Sequence, residues 1–354
     1  MAPEFQFLAC HWSEPWGRHL MSASGWKGRI LYVVTRNDLG KVVGAVPFGV
    51  REKAGLRFLS LAGSFVPFRG FPVAARSADA VADSLAEHLT RHHRNKCLRL
   101  APVARKDPVC QPLIDRLERR GWRIDMAHNG YRQLIQLPDT WEEYSAERKG
   151  SRWKKMDKVD RRMRRDHEVT LQLYTSETCE NWEAVVRDLG DIEDGSWLPS
   201  KDGDLKFSGP ENRKFWTEVF HAQRKGLAAR VWILYLDGKP VTFDFNFDSG
   251  PCRYSLAGHY VEDVKGFSTG TLLFREVVKD AIERGVRTID MGGGDPGYKK
   301  YWGAQPEDPI VDWTAFPPGI RGGLLHGGVR LAHIARRARS RVNHFRNWLA
   351  TLGR

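Results

Sequence analysis

The stretch "ARVWILYLDGKPVTFDFNFDSGPCRYSLAGHYV", residues 229–261, decides the fold. It holds three apolar-rich runs separated by turn signals at Asp237–Gly238 and Ser249–Pro251. Short runs rich in Val, Ile, Phe and Tyr between such turns read as three consecutive strands. In the middle run, "VTFDFNF", Thr242, Asp244 and Asn246 alternate with phenylalanines. Side chains on a strand alternate between faces, so these three form one polar stripe on an otherwise apolar strand. Helical spacing is expected before this meander at 210–226 and after it at 268–285. A strand, "RTIDMG", and a short helix at about 297–303 follow.

The first half reads in the same order. Strands are expected near 28–36, 41–51 and 56–62, then a helix at 78–94, the strand "CLRLAPV", a helix near 109–120 and the strand "YRQLIQLP". The succession strand, strand, strand, helix, strand, helix thus occurs twice. It predicts a tandem α+β repeat: two copies of one domain, each a mixed, mostly antiparallel sheet flanked by helices. Between the copies lies the basic segment "SAERKGSRWKKMDKVDRRMRRDHEV". Its Trp153, Met156, Val159 and Met163 keep helical spacing, so a helix with one packed face is expected there. A solvated linking helix is favoured over a nucleic-acid-binding one.

Composition narrows the class. The chain has 354 residues, of which 41% are hydrophobic, enough for two globular domains. Its five cysteines are scattered, without the spacing of a disulfide framework or a zinc site, which fits a reducing cytoplasm. The opening "MAPEFQFLACHWSEPWG" carries acids and lacks the pattern of a signal peptide. No apolar run approaches the roughly 20 residues that span a bilayer. His88 and His92 stand four apart on the polar side of a helix, but without the His-Glu-x-x-His pattern no metal is expected. The net charge is +13, and the last segment, from Gly319, has eight arginines and no acid. An acidic partner is expected: a membrane surface, a phosphorylated substrate, an acidic carrier protein or RNA.

Several motifs in ordered succession carry a family likeness. Ser151, Arg152 and Lys155 open the second half; Gly195, Ser196 and Trp197 follow. Next come "GPENRKFWTEVFHAQRKG", "LYLDGKPVTFDFNF", "HYVEDVKGFSTGTLLFREVVKDAIERG" and "IDMGGGDPGYKKYWG". Over about residues 145–305 this resembles the acyltransferases of the GNAT superfamily, in particular their tandem-domain CelD-like and Fem-like branch. The first half shares only the element order.

The resemblance implies an N-acyltransferase with acyl-CoA as donor and no metal, and three segments. These are a first domain, 1–144, without a donor site; an acyltransferase domain, 145–318; and a basic C-terminal helix, 319–354. It implies that the strand before the main helix splays from its neighbour to admit the donor's pantetheine arm, with the pyrophosphate on the turn that follows. Here that turn is 265–271: Lys265, Gly266, Phe267, Ser268, Thr269, Gly270 and Thr271. Ser268 or Thr269 is expected to cap the helix, and Gly270 to allow close approach. The usual Arg/Gln-x-x-Gly-x-Gly/Ala pattern survives only in part in "GFSTGT", which leaves an acyl carrier protein or an aminoacyl-tRNA as alternative donors. In the first half, Pro67 and Pro72 interrupt the equivalent helix start, so no donor site is expected there.

The glycines of "IDMGGGDPG" do not form a P-loop, since no Gly-Lys-Ser/Thr ending follows. They are expected to relieve crowding at a strand end. Asp290 should point away from Ile289 and Met291, and Asp295 should cap the helix after Pro296. Tyr298 matches the tyrosine with which many GNAT enzymes protonate the departing thiolate. Lys299 is expected to hold a phosphate or carboxylate, and Trp197 and Asn246 to contact the acceptor. N-acylation needs a proton acceptor, and Asp244, His259 and Asp290 are the candidates, expected in one cleft.

From Val329 to Leu352, apolar residues fall at steps of three and four, with arginines mostly off the stripe. "GIRGGLLHGG" before them reads as a hinge. Docking of this helix on the protein itself is weighed equally with docking on an anionic membrane. The expected setting is cytoplasmic, peripheral on the inner membrane of a bacterial envelope. The expected acceptor is an amine, including a lipidic one such as a sphingoid-type base, or an envelope precursor. Two other functions stay open: a Fem-like aminoacyl-tRNA-dependent peptidyltransferase, with tRNA as the one nucleic-acid partner, and an inactive scaffold in envelope polysaccharide export.

Overall fold

A computed structural model describes residues 10–22, 26–53, 56–63, 70–93, 96–148, 151–175, 177–199, 205–221, 228–294 and 297–331. Eleven strands form one sheet: β1 (Trp26–Arg36), β2 (Val42–Lys53), β3 (Leu56–Leu61), β4 (Cys97–Ala104), β5 (Arg123–Gln136), β6 (Val169–Thr175), β7 (Ala228–Leu236), β8 (Lys239–Ser249), β9 (Cys252–Tyr260), β10 (Thr288–Asp290) and β11 (Gln305–Phe316). Their spatial order is β1-β2-β3-β4-β11-β5-β10-β9-β8-β7-β6. Only β3–β4 and β9–β10 are parallel.

The two halves do not close two separate sheets. They exchange their last strands. β11, from the end of the chain, pairs with β4 of the first half, and β5 of the first half pairs with β10. β5 and β11 also pair with each other at the centre. The first-half meander and the 229–261 meander lie where the strand pattern predicts. β11 was not predicted, because Pro306 and Pro309 break its pattern. Pro309 sits between two irregularities of register, the place where a strand tolerates proline. β5 runs through Asn129–Gly130, which reads as a turn; Gly130 takes a φ of 93° and the strand continues.

Nine helices are described with their ends: α1 (Cys10–His19), α2 (Ala78–His92), α3 (Cys110–Arg119), α4 (Trp141–Ala146), α5 (Ser151–Asp166), α6 (Trp182–Asp194), α7 (Pro210–His221), α8 (Thr269–Glu283) and α9 (Gly297–Tyr301). α6, through Leu189 and Ile192, and α7, through Phe215, Trp216 and Phe220, cover one face of the second-half sheet together with Phe207 just before α7, and pack on Phe243, Phe245 and Phe247 of β8. α8 covers the other face, with Phe274, Val277 and Val278 against Ile289 and Met291.

The basic helix α5 packs its expected stripe, with Met156 and Met163 buried. Arg275 of α8 ties it down by bonds to Asp157 and Asp160, each 3.2 Å. α1 staples the halves together. Its Trp16 meets Trp26 of β1 edge-on at 5.1 Å between centroids, and its Trp12 meets Trp216 of α7 at 5.5 Å.

The glycine-rich hinge expected at 319–328 is a correction. Residues 320–331 are helical. The glycines are there for proximity: a Cβ on Gly322 would collide with the Pro317 carbonyl oxygen, and one on Gly323 would crowd the Arg123 guanidinium at 3.3 Å. His326 fastens this helix to Asp125 of β5 at 3.0 Å. The rest of the expected C-terminal helix, 332–354, lies outside the described residues, as do 222–226 of the helix expected at 210–226. Among the described residues no helix is long and apolar enough to cross a membrane.

Because Trp16 keeps 1% of its surface, Trp16→Ala leaves a cavity at the seam of the two halves. A loss of about 3–5 kcal/mol is expected from urea unfolding. A loss below about 1 kcal/mol would show that α1 is not part of the core.

Candidate active site

The sheet opens where β9 leaves β10. The two pair only at Thr288–Asp290 against Cys252–Tyr254. From Ser255 to Tyr260, β9 pairs only with β8. A bulge falls inside this stretch: Ser255 faces Asn246 and Ala257 faces Phe245, so Leu256 is the extra residue. An extra residue turns its peptide off the ladder and bends the strand. β9 and the loop after β10 border this unpaired stretch.

The end of β9 leads into the expected donor turn. Residues 262–267 form a 3₁₀ turn, and Ser268 takes a left-handed φ of 51° before α8 begins. Ser268 makes no side-chain cap bond, which corrects the expected capping. Thr269 does not cap either: its hydroxyl accepts from Thr242 of β8 at 2.6 Å. The helix start therefore keeps uncapped N–H groups and has no acid in its first turn, so the dipole favours an anion there.

Gly266 has open space where a side chain would stand, and a Cβ on Gly270 would make only ordinary contact with Tyr260 at 3.5 Å. Thr271 closes the first turn by donating its N–H to the Ser268 carbonyl. Lys265 pairs with Glu262 at 3.2 Å. Phe267 is held between Arg162, 5.0 Å from its ring, and His167, 5.4 Å away. Arg162 also donates to the Gly266 carbonyl at 3.3 Å. α5 thus fixes the shape of the turn from outside.

The candidate acid–base residues divide between the two faces of the sheet. Asp244 pairs in register with Gly258, and Phe243 with His259. Adjacent residues of a strand face opposite ways, so Asp244 is on the α8 side and His259 on the α6–α7 side. The His259 ring packs on Phe243 at 5.5 Å. Asp244 is buried and accepts from Asn246 Nδ2 at 2.7 Å, while Asn246 Oδ1 is buried with no partner among the described residues.

Burial pushes the Asp244 carboxyl up to about 7, against the pull of the Asn246 bond and the Arg253 charge. A Cβ at position 258 would lie 2.9 Å from Asp244 Oδ2, so Gly258 makes room for this carboxyl. Tyr298, in α9, is 66% exposed. Burial around its hydroxyl and then the Asp244 charge push that hydroxyl up to about 12. Burial, then the charge of Lys206, push the His259 imidazole down to about 4, so it is neutral at neutral pH.

Asp290 does not join them. It pairs in register with Tyr254, where β9 and β10 are still closed, and its oxygen accepts from Arg132 of β5 at 2.8 and 2.9 Å. Asp290 has no exposed surface. The expectation of one cleft lined by Asp244, His259 and Asp290 is thus corrected: the carboxylate of Asp290 is consumed by a buried ion pair. Its other oxygen accepts the Gly292 N–H at 2.8 Å and shapes the glycine loop. Gly292 and Gly294 there have φ of 67° and 92°, which favours glycine.

Lys299 is also reassigned. It is buried, and its ammonium donates to the carbonyls of Met291, at 2.9 Å, and Gly293, at 2.5 Å. It holds the loop rather than a ligand. Asp295 and Pro296 lie outside the described residues. Trp197 is 40% exposed just after α6, in a segment tied to the turn after β9 by Glu262 N–H donating to the Gly195 carbonyl at 3.0 Å.

Sequence reasoning missed Arg132, Gly258, Glu193 and Lys206. A charged residue inside the apolar run "YRQLIQ" was a usable signal for Arg132. None marked Lys206.

The Asp244 carboxyl binds its proton more tightly folded than unfolded, so between its ordinary 3.8 and about 7 the folded state holds the extra proton. This group therefore costs stability as pH rises through that window. Asp244→Asn removes that cost and keeps an acceptor for Asn246. The stability of Asp244→Asn relative to the parent should rise between pH 4 and pH 8 in urea titrations. A constant difference would contradict the burial of this carboxyl.

A model of the acetyltransferase (GNAT) domain family matches residues 150–300. Among solved structures, the chain resembles that of FemX, with 13% identity, 87% of this chain and 91% of that one covered, and a TM-score of 0.56. It also resembles L-PGS from Bacillus licheniformis, with 14% identity, 94% and 97% covered, and a TM-score of 0.52. A third is a conserved protein of unknown function from Bacteroides thetaiotaomicron VPI-5482, with 12% identity, 87% and 90% covered, and a TM-score of 0.51. At these identities the likeness shows the fold alone. No curated protein sequence matches the chain. The matched residues, 150–300, contain the β9–β10 opening and the turn 265–271.

Proposed function

We propose that the second half moves an acyl group from acyl-CoA to an amine in the opening between β9 and β10. The observation that carries this reading is the continuity of that opening with the turn 265–271 and with an acid-free, uncapped helix start. The pantetheine arm lies against Ser255–Tyr260 and the pyrophosphate at Gly266–Thr271. The acceptor approaches from the α6–α7 side, past Trp197. Its neutral nitrogen attacks the thioester carbonyl, His259 takes the nitrogen's proton, and the C–S bond breaks. The leaving thiolate takes its proton from Tyr298, beside Asp244. An acyl carrier protein presenting the same arm is the alternative donor.

The first half, residues 1–144, is proposed to lack a donor site. β3 and β4 also pair over only three residues. There, however, the connection to α2 is spent on the sheet: Val73 bridges Gly44, and Phe71 and Val73 are buried in the core.

Gly270→Val fills the pyrophosphate position with no clash beyond Tyr260. It should weaken CoA binding at least about tenfold by calorimetry and leave the melting temperature unchanged. Unchanged affinity in the folded variant would refute this placement. If acetyl-CoA does not bind the parent at all while an aminoacyl-tRNA does, the peptidyltransferase reading replaces this one.

One observation favours a membrane acceptor. On helix 320–331, Ile320, Leu324 and Leu331 are 84%, 73% and 68% exposed, beside Arg321 and Arg330 and within an acid-free segment. An apolar ridge among cations suits an anionic lipid surface, where each Arg contributes about 1 kcal/mol. A lipidic amine or a lipid-linked precursor would be met there. The full chain should sediment with anionic vesicles at low salt, and a chain ending at Pro318 should not. If both stay in the supernatant, the membrane reading fails.

A further inference from the structure

The β9–β10 opening has a closed end, and the first row of residues past it is polar. Phe247, Tyr254, Asp290 and Leu134 stand in register across β8, β9, β10 and β5, the last row in which all four strands pair. The next row is Asn246, Ser255, Met291 and Gln133. Asn246 pairs with Ser255, and Met291 donates its N–H to the Gln133 carbonyl at 2.9 Å. Alternation puts this row on the α8 side. Phe245, Phe247 and Tyr254, the neighbours of Asn246 and Ser255, pack with α6 and α7, while Met291 and Ile135 pack with α8.

Two buried amide oxygens of this row, Asn246 Oδ1 and Gln133 Oε1, have no partner among the described residues. Asn246 has no exposed surface and Gln133 keeps 3%. Asn246 Nδ2 is committed to Asp244 at 2.7 Å, so the oxygen is the atom left over. Ser255, half-buried in the same row, adds a hydroxyl. Nearly all buried acceptors in proteins are paired, because leaving one empty costs more than a made bond returns. Two empty acceptors at the end of an opening point to a ligand that donates.

The frame around them is rigid. The carboxylate of Glu193 in α6 has no exposed surface and accepts the backbone N–H groups of Lys206, at 2.9 Å, Phe207, at 2.7 Å, and Ser208, at 2.9 Å. From this cradle the Lys206 ammonium donates to the carbonyl of Leu256, the bulge residue of β9, at 2.8 Å. Arg132 and Asp290 lock the row behind.

The direction of the donor decides which part of it arrives here. With its pyrophosphate at Gly266–Thr271, beyond Tyr260, the arm runs back along β9 and brings its sulfur to the row of Asp244 and Gly258. Asn246 lies two residues further along β8, about 6.6 Å. A short acyl group and one hydrogen bond span that distance. A plain alkyl chain would leave both oxygens empty.

We propose that the transferred acyl group carries a hydroxyl close to its carbonyl, which donates to the Gln133 or the Asn246 amide oxygen at the closed end of the opening. This rests on the acyl-transfer reading. The acceptors are neutral amides, so the donor that fits them is a neutral hydroxyl; the charge of an ammonium costs far more to bury. Asn246 thus serves the acyl group rather than the acceptor. Gln133 belongs to β5, so the first half contributes a specificity-determining residue to the site of the second. A site built to bond a substrate hydroxyl rejects the analogue without it.

The test is calorimetry on the full chain at pH 8, where Asp244 is ionised and holds the Asn246 amide nitrogen. The probes are CoA, propionyl-CoA and hydroxyacetyl-CoA; the last two differ by a methyl against a hydroxyl. Hydroxyacetyl-CoA should bind at least about tenfold tighter than propionyl-CoA. The preference should fall below about threefold in Gln133→Met or in Asn246→Leu, whichever removes the accepting oxygen. Equal affinities in the parent, or tighter propionyl-CoA, overturn the proposal. So does a preference that persists in both variants. Should a variant fail to fold, the comparison in the parent still decides. If CoA and both thioesters fail to bind, the acyl-transfer reading falls and this proposal with it. If CoA binds and the thioesters bind alike, that reading stands and only the hydroxyacyl assignment is lost.

Discussion

The site depends on one buried ion pair. Arg132 of β5 holds Asp290 of β10, and neither side chain is more than 11% exposed. Removing one partner of such a pair leaves an unpaired buried charge, which costs about 3–5 kcal/mol. The pair lies where the exchanged strand of the first half meets the shortest strand of the second. β10 has only three residues, too few to hold its place by ladder bonds alone. Asp290 clamps it to β5, and the chain continues as a glycine loop fastened by Lys299 and by Gln133, whose N–H donates to Gly292 at 3.0 Å. β9 is thereby tied at one end and free at the other, and the free end is the opening.

Strand parity does the rest. β9 delivers Gly258 and His259 to opposite faces of the same opening. The Gly258 side carries the buried Asp244, whose charge reaches Tyr298, next to α8 and the turn 265–271. The His259 side carries Lys206 and faces α6 and α7. In the proposed acyl transfer, a thioester lying in the opening has Tyr298 for its sulfur on one side and the neutral His259 imidazole for the incoming nitrogen on the other. The bulge at Leu256 supplies what a regular strand could not, a carbonyl turned away from β8 that Lys206 can hold.

Much of this architecture was legible in the sequence, for physical reasons. The 229–261 meander has clean turns and strict alternation, and Thr242, Asp244 and Asn246 do share the α8 face. Ile289 and Met291 pack against α8 while Asp290 does not, as alternation requires. The strand exchange was not legible, because β11 carries two prolines and β5 a glycine turn signal, and pairing between strands so far apart in the chain leaves no local mark. Nor was the fate of the charges. Asp290 and Lys299 look like catalytic groups as residues; only the fold shows that Arg132 and two backbone carbonyls consume them. α1 stayed hidden because Pro15 and Gly17 mask a helix whose tryptophans decide its packing.

In the proposed acyl transfer, donor binding belongs to the β9–β10 opening and to nowhere else in the sheet. Hydrogen exchange with and without acetyl-CoA tests it directly. The amides of 255–260 and 266–272 should slow on addition of acetyl-CoA, while those of 58–62 and 70–77, at the equivalent place in the first half, should not change. Protection confined to the first half, or spread evenly over both, would rule out this placement of the donor.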